Sequence, residues 1–96
     1  MKMFLIVYAE ASDEAIIAAF KGAGFKAYTK MHGLMGEGEE SEPKLGTHYW
    51  PGKNNAIFLA VRDEKIQTLC ELVKKLKADH SRAGLRAFTF PLEECI

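Results

Sequence analysis

The chain has 96 residues, of which 13 are basic and 13 acidic, and hydrophobic types make up 48% of it. This length can bury one hydrophobic core but not two, so we expect a single domain over residues 1–96. The balanced charge creates no general field that would attract nucleic acid or an anionic membrane surface. The longest apolar run is far below the roughly 18 residues of a spanning helix. We therefore expect no nucleic-acid partner and no insertion in a membrane.

The first half of the chain predicts a strand, a helix and a second strand. Met3 to Ala9 is apolar and rich in β-formers, which favours a buried central strand over a signal peptide. Ser12 is a candidate N-cap for a helix from about Asp13 to Ala23, which Gly24 would end by adopting a positive φ. Phe25 to Leu34 alternates in polarity. This alternation predicts a half-exposed strand.

The second half repeats the order of strand, helix and strand. Ala56 to Val61 predicts a second core strand, and Asp63 is a candidate N-cap for the next helix. One face of that helix carries the apolar residues Ile66, Leu69, Cys70, Val73 and Leu76. Gly84 marks a turn before a last strand over Leu85 to Phe90, and Pro91 keeps that strand at an edge.

The predicted element order is βαββαβ, which is typical of a ferredoxin-like α+β fold. Two βαβ halves with right-handed crossovers place both helices on one face of a four-stranded antiparallel sheet. The two cysteines, Cys70 and Cys95, are too few for a secreted disulfide scaffold. We expect free thiols and a cytoplasmic location.

A long loop separates the two middle strands. Five of the eight glycines lie between Gly33 and Asn54, and no apolar periodicity is visible there. Loops longer than about 12–15 residues are usually functional or disordered. We therefore expect residues 36–54 to form a flexible hairpin tip. Its first half is acidic, and its second half carries the candidate partner-binding residues Thr47, His48, Tyr49, Trp50 and Asn54.

Several roles remain open for this loop. The acidic half is either simply solvated or a docking strip for a basic partner. Trp50 either packs on the base of the loop or anchors a partner protein. His32 and His48 could approach each other and bind a metal, although their spacing matches no common metal motif. No nucleophile, base and orienting group occur together in a catalytic pattern, so we expect a protein that is not an enzyme.

Three motifs resemble the PII-like signal-transduction proteins over essentially the whole chain. They are Gly33-Leu34-Met35-Gly36 at the start of the loop, Gly46-Thr47-His48-Tyr49-Trp50-Pro51-Gly52 at its end, and the terminal Ala87-Phe88-Thr89-Phe90-Pro91-Leu92-Glu93-Glu94-Cys95-Ile96. The resemblance implies a homotrimer that binds a small effector in clefts between subunits. It also implies that the loop, called the T-loop, signals occupancy to a partner protein.

The resemblance further implies a set of ligand-binding residues. Ile6, Gly33 and Arg86 match the family's nucleotide-binding positions, and Gly36 accompanies them at the start of the loop. Ala83-Gly84-Leu85-Arg86 replaces a Gly-Asp-Gly-Lys run of the family, so Arg86 would be the phosphate-facing cation. An adenine nucleotide would act as effector, and no cofactor is expected. The alternatives are a metal-responsive trimer of similar fold and a ligand-free interaction module.

Overall fold

A computed structural model describes residues 1–37 and 52–96 of the chain. The described part contains four strands and two α-helices in the order βαββαβ, which confirms the predicted ferredoxin-like fold. Short 3₁₀ turns precede both helices and the last strand. The elements are β1 (Lys2–Ala9), α1 (Asp13–Gly22), β2 (Thr29–Leu34), β3 (Asn54–Val61), α2 (Ile66–Asp79) and β4 (Arg86–Pro91).

The four strands form one antiparallel sheet in the order β2-β3-β1-β4. β1 is central, as its unbroken apolar sequence predicts, and it pairs with β3 on one side and β4 on the other. β2 and β4 are therefore the two edge strands. Pro91 lies in the edge strand β4, where its missing N–H costs least.

The hydrophobic core lies between the two helices and one face of the sheet. Alternate residues of β1, namely Phe4, Ile6 and Tyr8, are fully buried there. The helices contribute Ile16 and Phe20 from α1 and Leu69, Val73 and Leu76 from α2. Burying each such side chain contributes about 1.5–3 kcal/mol, so this face supplies most of the stability of the monomer.

The opposite face of the sheet has no helix over it among the described residues, and we call it the open sheet face. Leu5 lies there between two phenylalanines, because it pairs with Phe58 of β3 and Phe88 of β4. Met3 is placed similarly beside Phe90. Phe88 and Phe90 are 52% and 45% exposed. Such a contiguous apolar surface is unusual on a monomer and is typical of an interface.

The structure corrects both predicted helix caps. Ser12 makes no side-chain capping hydrogen bond and instead closes a 3₁₀ turn over Glu10–Ser12. Asp63 also begins a 3₁₀ turn, and its carboxylate lies 3.1 Å from the amino terminus of Met1. In both places the chain leaves a strand through one tight turn before the helix begins. A polar residue in that turn therefore resembles a cap in the sequence.

The second predicted strand is shorter than its sequence alternation suggests. β2 begins at Thr29 and not at Phe25. Gly24 has the expected positive φ, and the Phe25 ring then packs edge-on against Phe20 with the ring centroids 6.4 Å apart. Phe25 and Tyr28 pack against the core, whereas Lys26 and Ala27 are exposed, and this segment does not pair with β3. The core contacts therefore do not follow the alternation that suggested a strand.

Both cysteines are free, with Cys70 half-buried on α2 and Cys95 exposed. No helix within residues 1–37 and 52–96 is long and apolar enough to cross a membrane. The predicted partner-binding residues Thr47, His48, Tyr49 and Trp50 lie outside the described residues. Asn54, the last residue of that set, is already the first residue of β3.

Candidate functional site

The long loop leaves the sheet at the end of β2 and returns at the start of β3. These two stretches of the loop, which we call its β2 arm and its β3 arm, lie side by side. A one-residue bulge lies between Met31, which pairs with Ala56, and Leu34, which pairs with Asn54. Gly33 lies within this bulge with a φ of +66°, a conformation that residues with a Cβ adopt only at a cost. The arms are also close at Gly36, where a Cβ would lie 3.3 Å from the Asn54 side-chain nitrogen.

The carboxylate of Asp13 accepts hydrogen bonds from three strands just below this point. Its Oδ1 accepts the Tyr8 hydroxyl at 2.6 Å and the Asn55 Nδ2 at 3.1 Å, from β1 and β3. Its Oδ2 accepts the Lys30 ammonium of β2 at 3.0 Å, and the Asp13 and Lys30 side chains are both about three-quarters buried. Asp13 is the first residue of α1. One carboxylate thus joins a helix to three strands.

Two further hydrogen bonds connect this group to the arms of the loop. The backbone N–H of Gly33 donates to Oδ1 of Asn55 at 3.3 Å, which links the β2 arm to the β3 arm. The backbone N–H of Glu10 donates to the Lys53 carbonyl at 2.9 Å, which ties the β3 arm to the turn before α1. We call Tyr8, Asp13, Lys30 and Asn55, with the Gly33 amide, the Asp13 network.

The charge of the Asp13 network is well defined. Burial alone would raise the pKa of Asp13, but the hydrogen bonds from Tyr8, Lys30 and Asn55 outweigh it, and the pKa is lowered. Burial raises the pKa of Tyr8, and its hydrogen bond to the Asp13 carboxylate raises it further. At neutral pH Asp13 is therefore an anion and Tyr8 a neutral hydroxyl donor.

The lowered pKa of Asp13 predicts a loss of stability in acid. The unfolded chain has an ordinary Asp pKa of about 3.9 and binds a proton before the folded chain does, so the free energy of unfolding falls with pH through this region. Urea unfolding of the wild type and of Asp13→Asn between pH 7 and pH 3 measures the effect. The difference in stability between the two proteins should shrink toward pH 3. A difference that stays constant over this range would contradict the prediction.

Arg86 lies at the same end of the sheet as Gly33, but on the other edge strand. It pairs with Val7, Val7 pairs with Ala56, and Ala56 pairs with Met31. Three strand spacings, or about 14 Å, therefore separate the two edges. The Arg86 guanidinium donates to the Leu85 carbonyl at 3.3 Å, and the residue is otherwise exposed. Two pockets of the described part, one beside Phe58 and one beside Cys70, contain neither Arg86 nor Gly33.

The side chain of Ile6, the remaining residue of the predicted ligand set, is fully buried in the core between the sheet and the helices. The structure therefore places Gly33, Gly36 and Arg86 at the surface of one end of the sheet, with Ile6 beneath them. Gly84 precedes β4 in the left-handed conformation, as predicted for a turn. This turn sets the direction in which Arg86 leaves the loop before β4.

Sequence reasoning missed the Asp13 network. In the sequence, Asp13 is an ordinary acidic residue in the first turn of a helix, and Tyr8 and Lys30 belong to two predicted strands. One signal was available: Asn55 immediately precedes the predicted core strand and continues its inward alternation with Ile57, Leu59 and Val61. An amide at an inward position requires buried hydrogen-bond partners.

The described residues contain no group of three His, Cys, Asp or Glu side chains that could hold a metal ion. His32 is exposed on β2, and His48 lies outside the described part of the chain. The metal site suggested for these two histidines therefore stays a hypothesis from the sequence.

The chain is thus a small ferredoxin-like domain. Its surface residues Gly33, Gly36 and Arg86 lie at the same end of the sheet. The family model of the nitrogen regulatory protein P-II matches residues 1–96. The chain therefore belongs to the P-II family of regulatory proteins. No curated protein matches its sequence.

Solved structures support the same fold. The structure of CPII from Thiomonas intermedia bound to ADP and bicarbonate is similar with a TM-score of 0.70 and 21% identity, covering 93% of this chain and 82% of that one. A structure of CPII bound to ADP, AMP and bicarbonate is similar with a TM-score of 0.67 and 22% identity, covering 99% of this chain and 94% of that one. The structure of a putative PII-like signaling protein from Thermus thermophilus is similar with a TM-score of 0.62 and 20% identity, covering 93% of this chain and 82% of that one.

Proposed function

We propose that this protein is a homotrimeric regulator that binds an adenine nucleotide in clefts between its subunits. The observation that carries this proposal is the match of the P-II family model over the whole chain. The similar CPII structures are bound to ADP and bicarbonate, and two of them are also bound to AMP. A role as a regulator, and not as an enzyme, agrees with the family. The free thiols agree with a cytoplasmic location.

The open sheet face supports assembly. Its central row, Phe58, Leu5 and Phe88, is partly or largely exposed in one chain, and a further pair, Met3 and Phe90, extends it. Burying such side chains against two other copies would remove a large apolar area from water. In a closed ring the edge strands of neighbouring sheets approach each other. We therefore expect β4 of one subunit to lie near β2 of the next.

The proposed cleft uses the surface residues at the loop end of the sheet. Gly33 and Gly36 let a ligand approach the backbone closely, because they carry no side chain. Among the described residues the Arg86 guanidinium donates to the neighbouring Leu85 carbonyl, and as a charged donor it suits a phosphate oxygen. Ile6 contributes as the buried support of the strand beneath the cleft, because its side chain has no exposed surface.

Ligand binding would be signalled through the loop over residues 36–54. A nucleotide that contacts Gly33 and Gly36 touches the β2 arm where the loop begins, so occupancy can change the order of the loop. The aromatic half, with Thr47, His48, Tyr49 and Trp50, would then contact the partner protein. Asn54, at the start of β3, forms the inner end of that surface.

Calorimetric titration with ADP, AMP, ATP and cyclic nucleotides tests the proposal. We expect at least one of them to bind the wild type, and we expect Arg86→Ala to bind it about 10- to 100-fold more weakly because a charge-assisted hydrogen bond to phosphate is lost. Arg62→Ala is the matched control, since Arg62 is an exposed arginine after β3, at the opposite end of the sheet. Absence of heat with every nucleotide would remove the ligand from the proposal. Equal affinity of the two variants would remove Arg86 from the site.

A further inference from the structure

The Asp13 network connects the core of the domain to the first residues of the loop. Asn55 is 2% exposed and is the only buried polar residue in the described part of the chain. Its carbonyl oxygen faces the Gly33 amide, and its NH₂ group faces Asp13. Both ends of one side-chain amide are thus occupied, one by the loop arm and one by the carboxylate.

The charge of Asp13 determines which end of the Asn55 amide faces the loop. A rotation of the amide by 180° would point its oxygen at the carboxylate and its NH₂ group at the Gly33 N–H. Both contacts would then be repulsive, the first between two acceptors and the second between two donors. With an ionised Asp13, only the observed orientation satisfies both neighbours, so the Gly33 N–H always meets an acceptor.

Because of Lys30, the orientation of the Asn55 amide depends strictly on the charge of Asp13. In Asp13→Asn, the Lys30 ammonium requires the oxygen of the new amide, because Lys30 presents only donors. The new NH₂ group would then face Tyr8 and Asn55, where the wild type has an acceptor. Asn55 could satisfy that NH₂ group only by rotating its oxygen toward it, which turns its own NH₂ group toward Gly33. One atomic replacement in the core would thus remove the acceptor of the loop amide.

We propose that Asp13 is a positioning residue that, through the orientation of the Asn55 amide, fixes the Gly33 backbone and hence the point where the loop leaves the sheet. In the described part of the chain Asp13 is connected to Gly33 through Asn55. The consequence for ligand binding rests on the proposed function, in which Gly33 lines the cleft, whereas the positioning of Gly33 requires no ligand. Positioning and nucleotide binding can therefore be tested separately.

The experiment is nuclear magnetic resonance of the ¹⁵N-labelled protein without nucleotide, following the Gly33 amide from pH 7 to pH 2, because the pKa of Asp13 is lowered. All proteins carry His32→Gln, so that no imidazole lies beside Gly33 in the chain. The charged and titratable groups that face Asp13 are Tyr8 from β1 and Lys30 from β2, and β3 contributes the neutral Asn55. We expect the Gly33 signal to follow the protonation of a carboxyl group that lies two hydrogen bonds away.

In Asp13→Asn we expect this titration of Gly33 to disappear and its amide to exchange with solvent about tenfold faster, which corresponds to one lost hydrogen bond. Amides that pair β1 with β4 should keep their exchange rates. Tyr8→Phe is the second variant, because it removes one donor and leaves Asn55 and Lys30 in place. There the Gly33 titration should persist and move to higher pH, since the carboxylate has lost a stabilising donor.

Three results would overturn the positioning role. They are a Gly33 signal without an acid titration in the wild type, a titration that persists in Asp13→Asn, and equal acceleration of exchange across the whole sheet, which would indicate general loosening. If Asp13→Asn does not fold, the wild type and Tyr8→Phe still decide the question. Failure of nucleotides to bind would affect only the proposed function, because this experiment contains none.

Discussion

Replacing Phe88 by glutamate should convert the proposed trimer into monomers. Phe88 is 52% exposed on the edge strand β4, and its side chain extends the apolar row that Leu5 and Phe58 begin. In the proposed assembly this row is buried, so a carboxylate there would lose its water without gaining a partner. An unpaired buried charge costs several kcal/mol for each of three equivalent positions. Sedimentation velocity at several protein concentrations measures the mass.

Thr89→Glu is the matched control for this prediction. Thr89 is the next residue of β4, is also exposed, and points to the opposite face, toward the surface of α2 that carries Lys74 and Lys77. The same new charge should leave the trimer intact there. A wild type that is monomeric, or a Phe88→Glu variant that stays trimeric, would contradict the assignment of the open sheet face as the interface. Circular dichroism confirms that both variants fold.

Asp13→Ala should lower the free energy of unfolding by about 2–4 kcal/mol. The substitution leaves the Asn55 NH₂ group and the Tyr8 hydroxyl without an acceptor, and both residues are almost fully buried. Each buried group without a partner costs about 1–3 kcal/mol. The Lys30 ammonium, which is partly exposed, can recover part of its loss by contact with water. Because a domain of this size has only about 5–15 kcal/mol of stability, the effect is large.

Urea unfolding at one fixed protein concentration measures this loss, since the stability of an oligomer depends on concentration. Asp63→Ala is the control, because the Asp63 side chain is 68% exposed and forms a surface ion pair with the amino terminus. Surface pairs of this kind contribute about 0–1 kcal/mol. If both variants lost the same small amount, the Asp13 network would contribute no more than a surface ion pair.

The elements with the strongest apolar patterns could be predicted from the sequence alone. The unbroken run of β1 indicates a strand that is covered on both edges, and the observed sheet places it between β3 and β4. The stripe of Leu69, Val73 and Leu76 defines the buried face of α2. In both cases a single local pattern decides which side faces the core.

The starts of elements were harder to predict, because tertiary packing decides them. Phe25 belongs to an alternating segment, yet its contact with Phe20 keeps it out of the sheet. The 3₁₀ turns before α1 and α2 arise where the chain must change direction after a strand. The local sequence around Phe25 looks the same as that of a continuing strand. The local sequence of the two 3₁₀ turns looks the same as that of a helix beginning.

The candidate site was only partly predictable for a related reason. Gly33, Gly36 and Arg86 were singled out by family resemblance, and the structure places them at one end of the sheet. The hydrogen bonds of the Asp13 network join residues up to 42 positions apart in the chain. Such a cluster depends on strand order and register, which composition and periodicity do not specify.

The inward position of Asn55 also has a consequence for the pairing of β3. A slip of this strand by two residues would keep its apolar side chains facing the core, so hydrophobicity alone would penalise it little. Either slip would, however, carry the Asn55 amide away from Asp13, and a slip to the position of Ile57 would bury it among apolar side chains, at a cost of about 1–3 kcal/mol. Asn55 thus selects a single register of β3 in the sheet. This register also fixes the number of residues available to the loop between β2 and β3.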